Sequence, residues 1–251
     1  MSRLRSVLAA ALATTAGCAT ATVGGGGDDV VVDAARIDSP PGDIDAPPGT
    51  IDARLIDAPP VPIDAPATQT VTLTQGTTNI TALNTVSCNN STTGYTTENS
   101  YYRAFVLSNY GVTRQFTANR IDVGIESATA GAGGTQAIQV KLYTVAGAFP
   151  AGVLTQIAGQ TVTVNNTATG VVLPVTLSPP GIAPAGSTVV AEVFIPDGTA
   201  AGNIIFAGSN TDAESGPSYI RAPSCGSTQP ATLASVGFPN VHMVLTVTGT
   251  Y

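Results

Sequence analysis

The chain has 251 residues, of which only 10% are charged and 5% aromatic, with 27 Gly, 18 Pro and no Trp. Glu and Lys are too scarce for long helices, whereas Thr, Val, Ser, Asn and Gly dominate, the usage of short strands joined by tight turns. The net charge of −7 is uneven: residues 28–67 hold nine Asp against two Arg, and from residue 68 onward seven acidic residues face five basic ones. No basic patch exists to neutralise phosphates, which excludes nucleic acid as an expected partner.

Met1 to Arg5 forms a positive start, Val7 to Ala13 a short apolar run, and Thr15-Ala16-Gly17-Cys18 follows. This is the anatomy of an export signal, too short to span a membrane. The last four residues resemble a bacterial lipobox. That resemblance implies cleavage after residue 17, acylation of Cys18 and, with Ala19 next, an outer-membrane or cell-surface location. Thr15 stands where Leu is commonest.

Residues 18–67 read as a lipid-anchored, disordered tether rich in Gly, Asp and Pro. Ile-Asp pairs begin at Ile37, Ile44, Ile51, Ile56 and Ile63, with Ala-Pro or Pro-Pro between most of them. The spacing is near seven, but Pro removes a backbone donor and clashes with a preceding helical turn, so a coiled coil is excluded. Self-repelling, Pro-rich sequence extends instead, and at about 3 Å per residue, Asp28 to Ala67 reaches on the order of 100 Å. Its composition resembles the spacers of predicted myxobacterial lipoproteins.

From Thr68 the pattern has period two. Ile121, Val123 and Ile125 alternate with polar neighbours, as do Ile138, Val140 and Leu142. Val189, Ala191, Val193 and Ile195 form a third stripe, and Val241, Met243, Leu245 and Val247 a fourth. Shorter strands are expected at 69–74, 100–107, 153–157, 160–165, 170–177, 203–208 and 218–222. Turn signals separate them at Ala130 to Gly134, Pro150 to Gly152, Pro179 to Gly181, Pro184 to Gly186 and Pro196 to Gly198. Residues 68–251 are therefore expected to fold as an all-β, antiparallel two-sheet sandwich, jelly-roll-like, of about eight to ten strands.

Removing Cys18 leaves Cys88 and Cys225, 137 positions apart, an expected disulfide in an exported protein. It would join the loop before strand 100–107 to the loop after strand 218–222. These two strands echo one another as Ser100-Tyr101-Tyr102-Arg103-Ala104 and Ser218-Tyr219-Ile220-Arg221-Ala222. Residues 99–105, Val123-Gly124-Ile125-Glu126, Val140 to Thr144, Gly208-Ser209-Asn210 and Ala222 to Gly226 resemble an uncharacterised β-sandwich domain of secreted bacterial proteins. Such domains are often appended to extracellular peptidases. The resemblance implies the fold and no chemistry.

Signals for catalysis are weak. His242, the sole His, lies mid-strand without an acid nearby in sequence, and Lys141, the sole Lys, sits on a polar strand face. No nucleophile elbow, zinc helix or phosphate loop is present. Tyr101, Arg103, Tyr219 and Arg221 form a candidate ligand face through stacking and charge-assisted hydrogen bonds. Asn210, Asp212 and Glu214 cluster oxygen ligands that suit calcium; no other cofactor is expected. The expectation is a non-enzymatic surface module for glycan or protein, held at the membrane by its N-terminal lipid. A structural envelope coat protein and a divergent carboxylate-dependent hydrolase are the alternatives. Cys18→Ser is expected to abolish partitioning into the detergent phase; an unchanged detergent-phase fraction would refute the lipid anchor.

Overall fold

The computed structural model describes Arg3–Ser6 and residues 67–251. Cys18, the tether and most of the expected leader lie outside the described residues. The described part is all-β with three short 3-10 turns. No helix in it is long and apolar enough to cross a membrane.

Two antiparallel sheets form the sandwich. The first has six strands in the order β13 (Ser227–Thr232), β12 (Tyr219–Ala222), β4 (Asn99–Val106), β9 (Thr188–Ile195), β6 (Thr135–Ala146) and β7 (Val153–Asn165). The second is built on the long β5 (Phe116–Thr129). Along one side of β5 runs β8 (Thr169–Ala183). Its other side is shared by β15 (Leu245–Thr250) on the first half and β10 (Ile204–Ala207) on the second, with β2 (Thr70–Leu73) outside β15. Two small ribbons complete the set. β11 (Ser209–Asn210) pairs with β14 (His242–Met243), and β1 (Arg3–Ser6), within the expected leader, pairs with β3 (Val86–Asn89).

The apolar stripes face inward. Ile121, Val123 and Ile125 of β5 meet Ile138, Val140 and Leu142 of β6 and Tyr101 and Phe105 of β4 in one core. Each large side chain removed from water contributes about 1.5–3 kcal/mol. Where β10 ends and β15 begins, the chain converges on β5 at Gly124. Gly124 N–H donates to the Val244 carbonyl, Val244 N–H to that of Gly208, and Gly208 N–H to that of Gly124, at 2.7–3.0 Å. A Cβ on Gly124 would lie 2.7 Å from that of Val244, so only glycine allows this approach.

Several expected boundaries move. Pro179-Pro180-Gly181 is not a turn between strands but lies inside β8. There Thr176 pairs with Arg120 and Gly181 with Ala118, so residues 177–180 bulge opposite Asn119. Proline fits because β8 is an edge strand, where a missing donor breaks no ladder bond. The strands expected at 153–157 and 160–165 are one strand, β7, kinked where Leu142 pairs with Ala158 and Tyr143 with Gln156. The sequence stripes did not announce β3, β11 or β13, which are short and polar.

The disulfide forms between Cys88 of β3 and Cys225, in the 3-10 turn directly after β12, with the Cα atoms 5.9 Å apart. The echoing strands are neighbours: Tyr219 pairs with Tyr102, Ile220 with Tyr101 and Arg221 with Ser100. The double substitution Cys88→Ala and Cys225→Ala is expected to lower unfolding free energy by about 4–5 kcal/mol, the loop-closure value for a crosslink of this span. Equilibrium urea denaturation of the oxidised protein and the double variant measures it, and a difference below about 1 kcal/mol would contradict the chain-entropy account.

Candidate functional site

Tyr101, Arg103, Tyr219 and Arg221 do not form one face. Tyr101 is fully buried in the core and donates its hydroxyl to the Val86 carbonyl at 2.6 Å. Arg103 is buried between the sheets. Its guanidinium donates to the Met243 carbonyl at 2.7 and 3.0 Å, to the Gly216 carbonyl at 2.9 Å and to Gln75 Oε1 at 3.2 Å, and pairs with Glu214 at 2.8 Å. Tyr219 and Arg221 point the other way, onto the outer face of the six-stranded sheet, where Arg221 pairs with Glu98 at 2.6 Å.

That outer face is organised by strand register. One row across it reads Tyr219, Tyr102, Glu192 and Lys141, and the next Arg221, Ser100, Phe194 and Gln139. Glu192 is only 5% exposed. The Tyr102 hydroxyl donates to its Oε1 at 3.1 Å and the Tyr143 hydroxyl to its Oε2 at 2.6 Å, while Lys141 Nζ stands 3.7 Å from Oε2. The same ammonium caps the Phe194 ring at 4.4 Å from its centroid, so Lys141 is more than a solvated charge. The carboxylate is thus neutralised and hydrogen-bonded in place, the condition for burying one.

Phe149, in the turn between β6 and β7, folds over this sheet. Its ring meets Tyr219 edge-on at 4.7 Å and Tyr102 at 5.6 Å. Gly147, with φ of 91°, begins that turn in a conformation that L side chains avoid. Beside Phe149 opens a cleft of about 600 Å³. Phe149, Tyr219 and Tyr110 supply its rings, and Gln75, Asn109 and Thr188 are among its polar groups. Its lining includes no carboxylate, imidazole, amine or thiol. A second hollow of about 580 Å³, along β12 and β13 beside Cys225, has no aromatic wall. Phe149 and Tyr110 escaped sequence reasoning because they lie in a turn and a 3-10 segment, outside any stripe.

The expected calcium ligands have protein partners. Asn210 Oδ1 accepts from the Asp212 N–H at 3.1 Å, and its amide donates to the Asn79 carbonyl at 2.9 Å. Asp212 accepts from the Thr77 hydroxyl, and Glu214 holds Arg103 and accepts from Ser218 at 3.1 Å. Among the described residues no three His, Cys, Asp or Glu side chains converge as a metal-binding group. His242 lies near an acid in space: Nε2 is 3.7 Å from Glu214 and 3.1 Å from the Pro239 carbonyl, while Nδ1 meets the Asp212 carbonyl.

No protein-family model matches the chain, and no curated protein matches it. Among solved structures, the chain is similar to the cysteine protease and lectin-like domains of Cwp84, a surface layer associated protein of Clostridium difficile, at a TM-score of 0.36 and 12% identity. The match covers 62% of this chain and 32% of that one, so this chain spans about a third of that protein's length. A likeness of this degree carries no function across.

Burial, reinforced by the Glu192 carboxylate, pushes the Tyr102 and Tyr143 hydroxyls well above the ordinary tyrosine value of 10.0. Ionising either one in the folded state would set a second anion against Glu192. Groups raised in this way keep their stabilisation below pH 10 and lose it as the pH climbs further. Urea midpoints are expected to fall above pH 10, and to fall less steeply in Tyr143→Phe. An equal fall in both proteins would remove Tyr143 from the cause.

Proposed function

We propose that the protein is a non-catalytic binding module, held at the cell surface by a lipid-anchored spacer, and that it takes its ligand in the cleft between Phe149, Tyr219 and Tyr110. The lining of the cleft is the observation that carries this reading. Aromatic rings offer stacking surface and amides and hydroxyls offer directional hydrogen bonds, the mixture that orients a ligand in a concave site. General acid–base or nucleophilic catalysis needs a titratable side chain within hydrogen-bond reach of the reacting atoms, and the cleft lining offers only tyrosine hydroxyls, of which Tyr110 already donates to the Thr74 carbonyl at 2.9 Å.

A coat protein would pack its copies through a broad apolar face. Among the described residues, Leu83 lies in a loop, Val106 on β4 and Val153 on β7, while on β8 the neighbours Val171 and Val172 point to opposite faces and Ile182 stands at the far end. A carboxylate hydrolase needs two carboxyls flanking a substrate bond. Glu192, the carboxylate nearest in register to Tyr219, is sealed by two tyrosines and a lysine.

A thermal-shift screen of the oxidised protein against soluble polysaccharides and envelope proteins tests the reading. A ligand that binds the folded state alone raises Tm by mass action. The expected result is a saturable rise that Phe149→Ala removes, with the ligand recovered chemically intact. Cleavage of the ligand would replace the reading with the hydrolase, and a rise undiminished in Phe149→Ala would move the site away from the cleft.

A further inference from the structure

We infer that the ligand of this cleft is an uncharged polyhydroxylated chain, a segment of neutral polysaccharide. The inference rests on the binding reading above and narrows it by charge.

Recognition of an anionic polymer, whether uronate, sulfate or phosphate, needs a cation free to meet it. From residue 68 onward the chain has five basic side chains. Arg103 is buried on Glu214 at 2.8 Å. Arg114 donates to the Tyr251 carbonyl at 3.0 Å and lies 5.7 Å from the centre of the Tyr251 ring. Arg120 holds Asp122 at 3.0 Å, Lys141 sits on Glu192 and Phe194, and Arg221 holds Glu98 at 2.6 Å. Each of these five cations is therefore engaged, and none lines the cleft.

Cationic ligands fare no better. Besides the carboxylates in those pairs, Glu126 accepts from the Leu83 N–H at 2.9 Å, Asp197 from the Thr199 N–H at 2.8 Å, and Asp212 from Thr77. None of these lines the cleft either.

What the cleft does offer is neutral. Among the described residues, no hydrogen bond from the protein occupies the side chains of Asn109, Thr188 or Ser215, which line it together with the rings. An amide and two hydroxyls both donate and accept, as a sugar hydroxyl does. The volume of about 600 Å³ lies in the range of small-ligand sites. An apolar ligand would leave these polar groups unpaired on binding, which costs affinity. A run of sugar rings satisfies them while stacking its C–H faces on Phe149 or Tyr110, the half-buried rings of the lining.

The test is calorimetric titration of the oxidised full chain with three probes: a soluble neutral β-glucan or galactomannan, polygalacturonate, and chitosan. Each is run at about 0.05 M and 0.5 M NaCl, where charge-driven binding differs strongly and neutral binding does not. The expected result is binding of a neutral polymer whose Kd changes less than two-fold with salt. Phe149→Ala should weaken it at least ten-fold and Asn109→Ala several-fold. Asn109 is exposed, so that variant keeps the test meaningful if Phe149→Ala fails to fold. Preference for polygalacturonate or chitosan, or a Kd that weakens ten-fold in high salt, would overturn the neutral class while leaving a binding module. Binding of none of the three polymers, with a saturable Tm rise from an envelope protein, would do the same. Binding of none of them, with no Tm rise from any envelope protein, would overturn both readings.

Discussion

Strand β4 has Tyr101, Arg103 and Phe105 on its inner face and Tyr102 and Ala104 on its outer one, and a slip of one residue against either neighbour would exchange the two sets. Apolar patterning alone does not hold that register, because tyrosines occupy both faces. The guanidinium of Arg103 supplies the constraint. It is buried, and the cost of stripping its water is offset only where Met243, Gly216, Gln75 and Glu214 present their oxygens together. Those four come from β14, from the 211–217 loop and from the segment after β2. One side chain thereby ties β4 to three distant parts of the chain, and places Tyr102 where the outer-face network needs it.

The outer face then follows from the inner one. With β4 in register, Tyr102 reaches Glu192, Tyr219 falls beside Tyr102, and Phe149 has two rings on which to settle. The cleft is the margin of this second, smaller apolar cluster, where the half-buried Phe149 ring reaches the opening. The opening and the buried carboxylate are linked through one contact: Phe149, which lines the opening, packs on Tyr102, whose hydroxyl donates to Glu192.

Much of the fold was legible in the sequence because half-buried strands alternate. Ile121, Val123 and Ile125, and likewise Ile138, Val140 and Leu142, announced both their strands and their inward faces. The disulfide followed from the cysteine count and the expected export. The candidate site was legible only in part. The echo between Ser100–Ala104 and Ser218–Ala222 rightly marked two adjacent strands, but their pairing sets the second residue of one copy against the third of the other. Equivalent tyrosines therefore face opposite ways: Tyr101 goes to the core, Tyr219 to the outer face. No single-strand pattern encodes that offset. Phe149 owes its place to a turn, and Glu192 owes its burial to groups from two other strands, so neither could be found from local periodicity.

The proline-bearing margins have a consequence for many copies held side by side. β8 carries Pro174, Pro179 and Pro180, with a bulge between its two stretches of pairing, and β13, at the far edge of the other sheet, carries Pro230. Each proline deletes a donor from the rim, and the bulge bends the rim away from the straight geometry that a further strand would require. An all-β chain that is crowded on a surface risks zippering into fibrils through such rims. At β8 and β13, then, addition of a strand from a second copy is disfavoured.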